Sequence, residues 1–171
     1  LASSQDVDFS RYNYFYAKYL FDKGNESKAK TVVNNSLEKY PRNLILNQFK
    51  KDLKNSKKNF NFNCRKKEHI AAELLYISAN ALSSQLIYPS SNFYLNLSKY
   101  LNSDFHSFNT LLAENYFKIE DFESAKDIYK KLSSHGDAFK WFSKKQIARI
   151  LILEEKKTDA LSLLEVSFNN L

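Results

Sequence analysis

The sequence predicts an all-α protein of about nine helices with no sheet, built as a solenoid of helical hairpins. Three observations predict it. Small residues recur in pairs twelve positions apart: Ala17 with Ala29, Ala79 with Ser91, Ala113 with Ala125 and Ala148 with Ala160. The pairs repeat at a near-constant period, 34 residues from Ala79 to Ala113 and 35 from Ala113 to Ala148, the length of a stacked supersecondary unit. Between them, apolar residues fall three and four apart, the helical period. The small residues have a physical reason, because two neighbouring helices approach closely only where side chains are tiny.

The elements follow in order. Phe9 to Asp22 forms the first helix, carrying Tyr12, Phe15, Tyr16, Tyr19 and Leu20. Gly24 and Asn25 end it, and Asn25 caps a second helix that runs to Tyr40 and stops before Pro41. Leu44, Ile45, Leu46, Phe49 and Leu53 make a third, fading near Asn55. Residues 56–67 then interrupt the periodicity. Ala17 to Ala79 is 62 residues, six short of two 34-residue repeats, so residues 44–71 form a degenerate unit. A connection this long inside a compact array is often functional or mobile. Helical pattern resumes at Glu68 and runs through Leu74, Leu75, Ile77, Ala81 and Leu82 to about Leu86. Pro89, Ser90 and Ser91 open its partner, which holds Phe93, Leu95, Leu97, Tyr100 and Leu101. Two further pairs follow, residues 106–118 with 122–133 and residues 140–154 with 158–170.

The residues around the small pairs carry a more specific signal. Residues 106–139 read Leu112-Ala113, Tyr116, Phe122, Ala125 and Tyr129, and residues 10–43 read Tyr16-Ala17, Leu20, Gly24, Ala29, Val33 and Pro41. Residues 141–171 give Ile147-Ala148, Leu151, Ala160 and Leu164, and residues 72–105 give Ser78-Ala79, Leu82, Ser91 and Leu95. This resembles the tetratricopeptide repeat, over most of the chain. The resemblance implies a right-handed α-α superhelix and a single solenoid spanning residues 1–171. The stretch from Ala71 to Leu171, notably Ser91 to Leu97 and Leu111 to Tyr116, is similar to the middle of long tetratricopeptide proteins of alphaproteobacteria. That similarity implies that the chain is a fragment of an exported, periplasmic protein, and a cytoplasmic setting stays open beside it.

Composition narrows the function classes. The chain has 171 residues, enough for one domain with an ample apolar core. Two Gly and two Pro are few for a turn-rich fold. No apolar run reaches 18 residues, so no transmembrane segment is expected. Lone Cys64 excludes an internal disulfide and any cysteine-based metal cluster. The net charge is +7, yet Lys outnumbers Arg by 22 to 4, whereas proteins that grip phosphate usually exploit the bidentate Arg fork.

Catalytic constellations are scarce. His69, His106 and His135 lie in different units, and none has a second ligand at metal-binding spacing. Cys64 lies in a basic stretch, but no Gly-rich turn supplies an oxyanion site. The two Gly are isolated, so no phosphate-cradling loop exists. No catalytic residue, metal or cofactor is expected. The chain reads as non-enzymatic.

In tetratricopeptide arrays the first helix of each pair lines a concave groove. Mapped by that resemblance, the groove presents Tyr14, Lys18 and Phe21, then Tyr76, Asn80 and Ser83, then Glu114 and Phe117, and finally Lys145, Arg149 and Ile152. Aromatics with sparse charges suit an extended peptide or a docked helix. Asn80, Lys145 and Arg149 echo a carboxylate clamp, with Glu114 between them expected to pair with Lys145 or Arg149. The expected function is a protein-binding scaffold for a peptide or protein ligand. The alternative is binding of nucleic acid or an anionic surface through residues 50–67, where Lys50, Lys51, Lys54, Lys57, Lys58, Arg65, Lys66 and Lys67 surround Phe60 and Phe62.

Overall fold

A computed structural model describes residues 10–55 and 62–169. Among the described residues there are nine helices and no strand. They are α1 (Ser10–Asp22), α2 (Glu26–Lys39), α3 (Leu44–Lys54), α4 (Lys67–Ser84), α5 (Tyr88–Leu101), α6 (Ser107–Lys118), α7 (Phe122–Leu132), α8 (Asp137–Leu153) and α9 (Lys157–Phe168). The protein is all-α. The chain divides into two compact units, residues 1–59 and 60–171. The division falls inside residues 56–67, the segment in which the sequence period breaks; residues 56–61 lie outside the described residues.

In the first unit α1 and α2 form a hairpin, and α3 packs against both. In the second, the hairpins α4/α5, α6/α7 and α8/α9 follow one another, with α5 packed on α6 and α7 on α8. All eight residues of the four small pairs are buried. At one pair the closeness is directly visible, because the Ser91 hydroxyl donates to the Ala79 carbonyl at 2.8 Å. Large apolar side chains fill the space beside these points. Tyr14, Val33, Leu46, Phe49 and Leu53 form the interior of the first unit, and Leu95, Phe108, Leu112, Tyr129, Leu132 and Ile150 that of the second. Each contributes roughly 1.5–3 kcal/mol by leaving water.

The four hairpins share one turn. Seven residues after the first small residue of each pair stand Gly24, Leu86, Glu120 and Glu155, with φ of 79°, 63°, 62° and 63°. The next backbone N–H closes back on a carbonyl five residues earlier: Asn25 on Leu20 at 2.9 Å, Ile87 on Leu82 at 2.9 Å, Asp121 on Tyr116 at 2.9 Å and Lys156 on Leu151 at 2.8 Å. This left-handed closure satisfies carbonyls that the helix end leaves open. Only Gly24 takes that φ without steric penalty.

Helix α8 begins at Asp137, three residues earlier than its apolar period suggests. Gly136, with φ of 116°, lets the chain turn in, and Asp137 places a negative charge in the first turn, where the helix dipole favours it.

The joints between hairpins of the second unit are partly polar. Asn115 on α6 is fully buried, and its Nδ2 donates to Ser91 Oγ and to Asn92 Oδ1, both at 2.8 Å. Its Oδ1 accepts from the Ser83 hydroxyl at 2.6 Å. Between α7 and α8, Lys126 Nζ reaches Glu154 Oε1 at 2.8 Å and Glu123 Oε1 at 2.7 Å. Each group has partners, so burial leaves no uncompensated charge or amide.

Candidate partner-binding site

The groove residues expected from the first unit are interior, which corrects that part of the sequence reading. Tyr14 is 2% exposed and sets its ring edge-on to Phe49 of α3, centroids 5.3 Å apart. Lys18 is 4% exposed, with its Nζ 2.6 Å from Asp22 Oδ2. Phe21, half-buried, also meets Phe49, at 6.2 Å. The reason is that α3 packs against this face of α1 and covers it with its own aromatic ring. Tyr14 and Lys18 therefore hold the unit together and present no surface to a ligand.

The second unit behaves differently. Asn80, Lys145 and Arg149 are exposed, while Tyr76, Ser83 and Glu114 are half-buried. Phe117 is buried, a second correction, because the Arg149 guanidinium lies 4.1 Å above its ring centroid and Phe122 packs at 5.7 Å. Phe117 acts as the platform on which Arg149 rests, not as a contact surface itself. Such a cation–ring contact is worth about 0.5–1 kcal/mol where exposed. It also corrects the expected Glu114 pairing, since among the described residues Glu114 forms no ion pair with Lys145 or Arg149.

Direct contacts join the first helices of successive hairpins. The Tyr76 ring of α4 packs 5.5 Å from Phe108 of α6, and Ser83 bonds Asn115 across the same two helices. The Phe117–Arg149 contact joins α6 to α8. Tyr76, Asn80, Glu114, Lys145 and Arg149 thus belong to three helices held side by side within one unit. Their charge is mixed and mildly positive. Tyr129 of α7 is buried, and burial, and then Glu114, push its phenol well above the ordinary range while Arg149 opposes them. It is neutral at any physiological pH.

The basic segment divides in its surroundings. Lys50, Lys51 and Lys54 are exposed on α3, and Arg65, Lys66 and Lys67 are exposed at the entry to α4. Lys57, Lys58 and Phe60 lie outside the described residues. Phe62 is half-buried, with its ring 6.1 Å from, and tilted against, both Phe105 and His69. Cys64 is a free, exposed thiol. Among the described residues no three His, Cys, Asp or Glu side chains gather as metal ligands, and no helix is long and apolar enough to cross a membrane.

Sequence reasoning missed one pair of side chains altogether. His106 and His135, on separate inter-hairpin loops, stack face to face with centroids 3.3 Å apart and planes 18° off parallel. Burial lowers both pKa values, and His135 lowers that of His106 further, to about 4, against the pull of Asp104.

No protein-family model matches the chain, and no curated protein matches it.

Proposed function

We propose that the chain is a tetratricopeptide-type scaffold, a right-handed array of helical hairpins that binds a peptide or protein partner without catalysis. The observation that carries this reading is the row formed by α4, α6 and α8. It offers an exposed amide at Asn80, exposed cations at Lys145 and Arg149, and the half-buried Tyr76 ring, on helices cross-braced by Tyr76–Phe108 and Phe117–Arg149. An exposed Arg seated on an aromatic ring beside a Tyr is the composition of a binding hot spot. Its cations and amide fit a ligand bearing a carboxylate, either a chain terminus or an acidic side chain.

The test begins with selection of peptides from a random library on the immobilised chain, followed by titration calorimetry. Arg149→Ala and Asn80→Ala should each weaken the selected peptides by about 1–2 kcal/mol, roughly 5- to 30-fold, Asn80→Ala with little change in thermal midpoint and Arg149→Ala with the loss of about 0.5–1 kcal/mol of stability from its ring contact. Selected peptides that bind both variants as tightly as the parent chain would remove this row as the site.

A further inference from the structure

The second helices of the hairpins can be compared position by position. Aligned on the small residue, Phe93, Leu97 and Tyr100 of α5 correspond to Thr31, Asn35 and Glu38 of α2. In and just after α7 the equivalents are Asp127, Lys131 and Ser134, and in and just after α9 they are Ser162, Val166 and Asn169. All of these positions are exposed. Val166 is the one apolar equivalent, so three hairpins keep a mainly polar face where α5 carries two aromatic rings and a leucine. Pro89, exposed and one turn before Phe93, extends the series to positions i, i+4, i+8 and i+11, a stripe along one side of α5. Scattered apolar residues on a surface need no explanation, but a contiguous stripe marks a place of contact.

The charges beside the stripe say what covers it. Lys99 adjoins Tyr100 in sequence, and burial, then the charge of Lys131 on α7, lower its pKa. On α7, Lys126 pairs with Glu123 and Lys130 with Asp127, whereas among the described residues neither Lys99 nor Lys131 forms an ion pair. Two uncompensated cations that repel each other beside an apolar stripe call for a partner both apolar and anionic. A second copy would set a like-charged patch against itself. The rings also stand far out of the surface, Phe93 61% and Tyr100 86% exposed. Side chains this prominent suit a medium that admits them without a preformed pocket, and Tyr favours the level of lipid headgroups. Lysine ammoniums suit a field of headgroups better than the forked recognition of one fixed carboxylate. We infer that α5 docks on an anionic lipid surface, with Phe93, Leu97 and Tyr100 entering the interface and Lys99 and Lys131 meeting the headgroups. This contact lies on second helices, apart from the row formed by α4, α6 and α8.

Co-sedimentation with phosphatidylcholine vesicles, made with and without about a third phosphatidylserine, tests this. The chain should partition onto the anionic vesicles, less so as salt rises, and bind phosphatidylcholine alone roughly tenfold more weakly or worse. Phe93→Ser combined with Tyr100→Ser should weaken partition by about tenfold or more while the circular-dichroism spectrum stays unchanged. Lys99→Ala combined with Lys131→Ala should do the same on anionic vesicles only. Lys50→Ala, Lys51→Ala and Lys54→Ala together, on the exposed side of α3, should weaken it less than the paired Ser variant does. A chain that stays in solution with both kinds of vesicle would overturn the inference. So would partition that the three α3 substitutions abolish and the paired Ser variant leaves intact. Binding of an acidic amphipathic peptide that the paired Ser variant abolishes, without binding to vesicles, would give the face to a protein and overturn the lipid assignment.

Discussion

Ser91 donates its hydroxyl to the Ala79 carbonyl at 2.8 Å and accepts from Asn115 Nδ2 at the same distance. One small side chain therefore fixes both the α4–α5 approach and the α5–α6 joint. Ser91→Ala keeps the volume nearly constant but leaves the amide of Asn115 with one partner fewer in a buried place. It should cost about 1–2 kcal/mol. Ala113→Leu acts through size instead, forcing α6 from α7 at roughly 1–3 kcal/mol. Thermal or urea unfolding measures both, and an unchanged midpoint for Ala113→Leu would refute the packing of the small pairs.

The shared left-handed turn gives a prediction with the opposite sign. Leu86, Glu120 and Glu155 hold φ near 60°, where a Cβ is crowded, and Gly24 occupies the same repeat position. Glu120→Gly and Glu155→Gly should each stabilise the second unit by several tenths to about 1 kcal/mol, although glycine usually weakens a chain. Gly24→Ala should do the reverse in the first unit, through φ alone, since nothing lies within 4 Å of the Cβ it would add. Melting temperatures that fall for both Glu→Gly variants would show that the turn carries no strain.

Stability should also depend on pH through the histidine stack. The pKa of His106 in the folded chain, about 4, lies below its ordinary value of 6.5, so the folded state holds it neutral while the unfolded state takes up a proton first. Stability from this source is complete above about pH 7 and is lost as pH falls from 6.5 to 4. His106 is partly exposed, and a discounted loss of about 1–2 kcal/mol is expected across that window. His106→Gln should flatten the dependence between pH 7 and 5, measured by thermal unfolding. The same decline in the variant would assign the effect to other groups.

Much of the frame was legible in the sequence because small residues at a helix crossing admit few substitutes. The Ala pairs, the period and its break at 56–67 all correspond to buried contacts or to the division between units. What was illegible depended on side chains whose role is decided by a distant partner. Tyr14 and Lys18 read as surface because the repeat resemblance places them in the groove, whereas α3 packs against α1 and sets Phe49 edge-on to the Tyr14 ring. Asn115 and Lys126 read as ordinary polar residues until Ser91, Asn92 and Glu154 satisfy them in the interior. Leu86, Glu120 and Glu155 give no sign of a left-handed turn, since neither residue type prefers one. His106 and His135 are 29 positions apart and meet only through the stacking of hairpins.

Backbone amide exchange by mass spectrometry, with and without a selected peptide, tests the binding face most directly. Ligand protection should concentrate in segments 76–83, 110–117 and 145–152, on α4, α6 and α8, and should disappear with Arg149→Ala at the same peptide concentration. Protection confined to residues 62–67, or to α5, α7 and α9, would contradict the assignment.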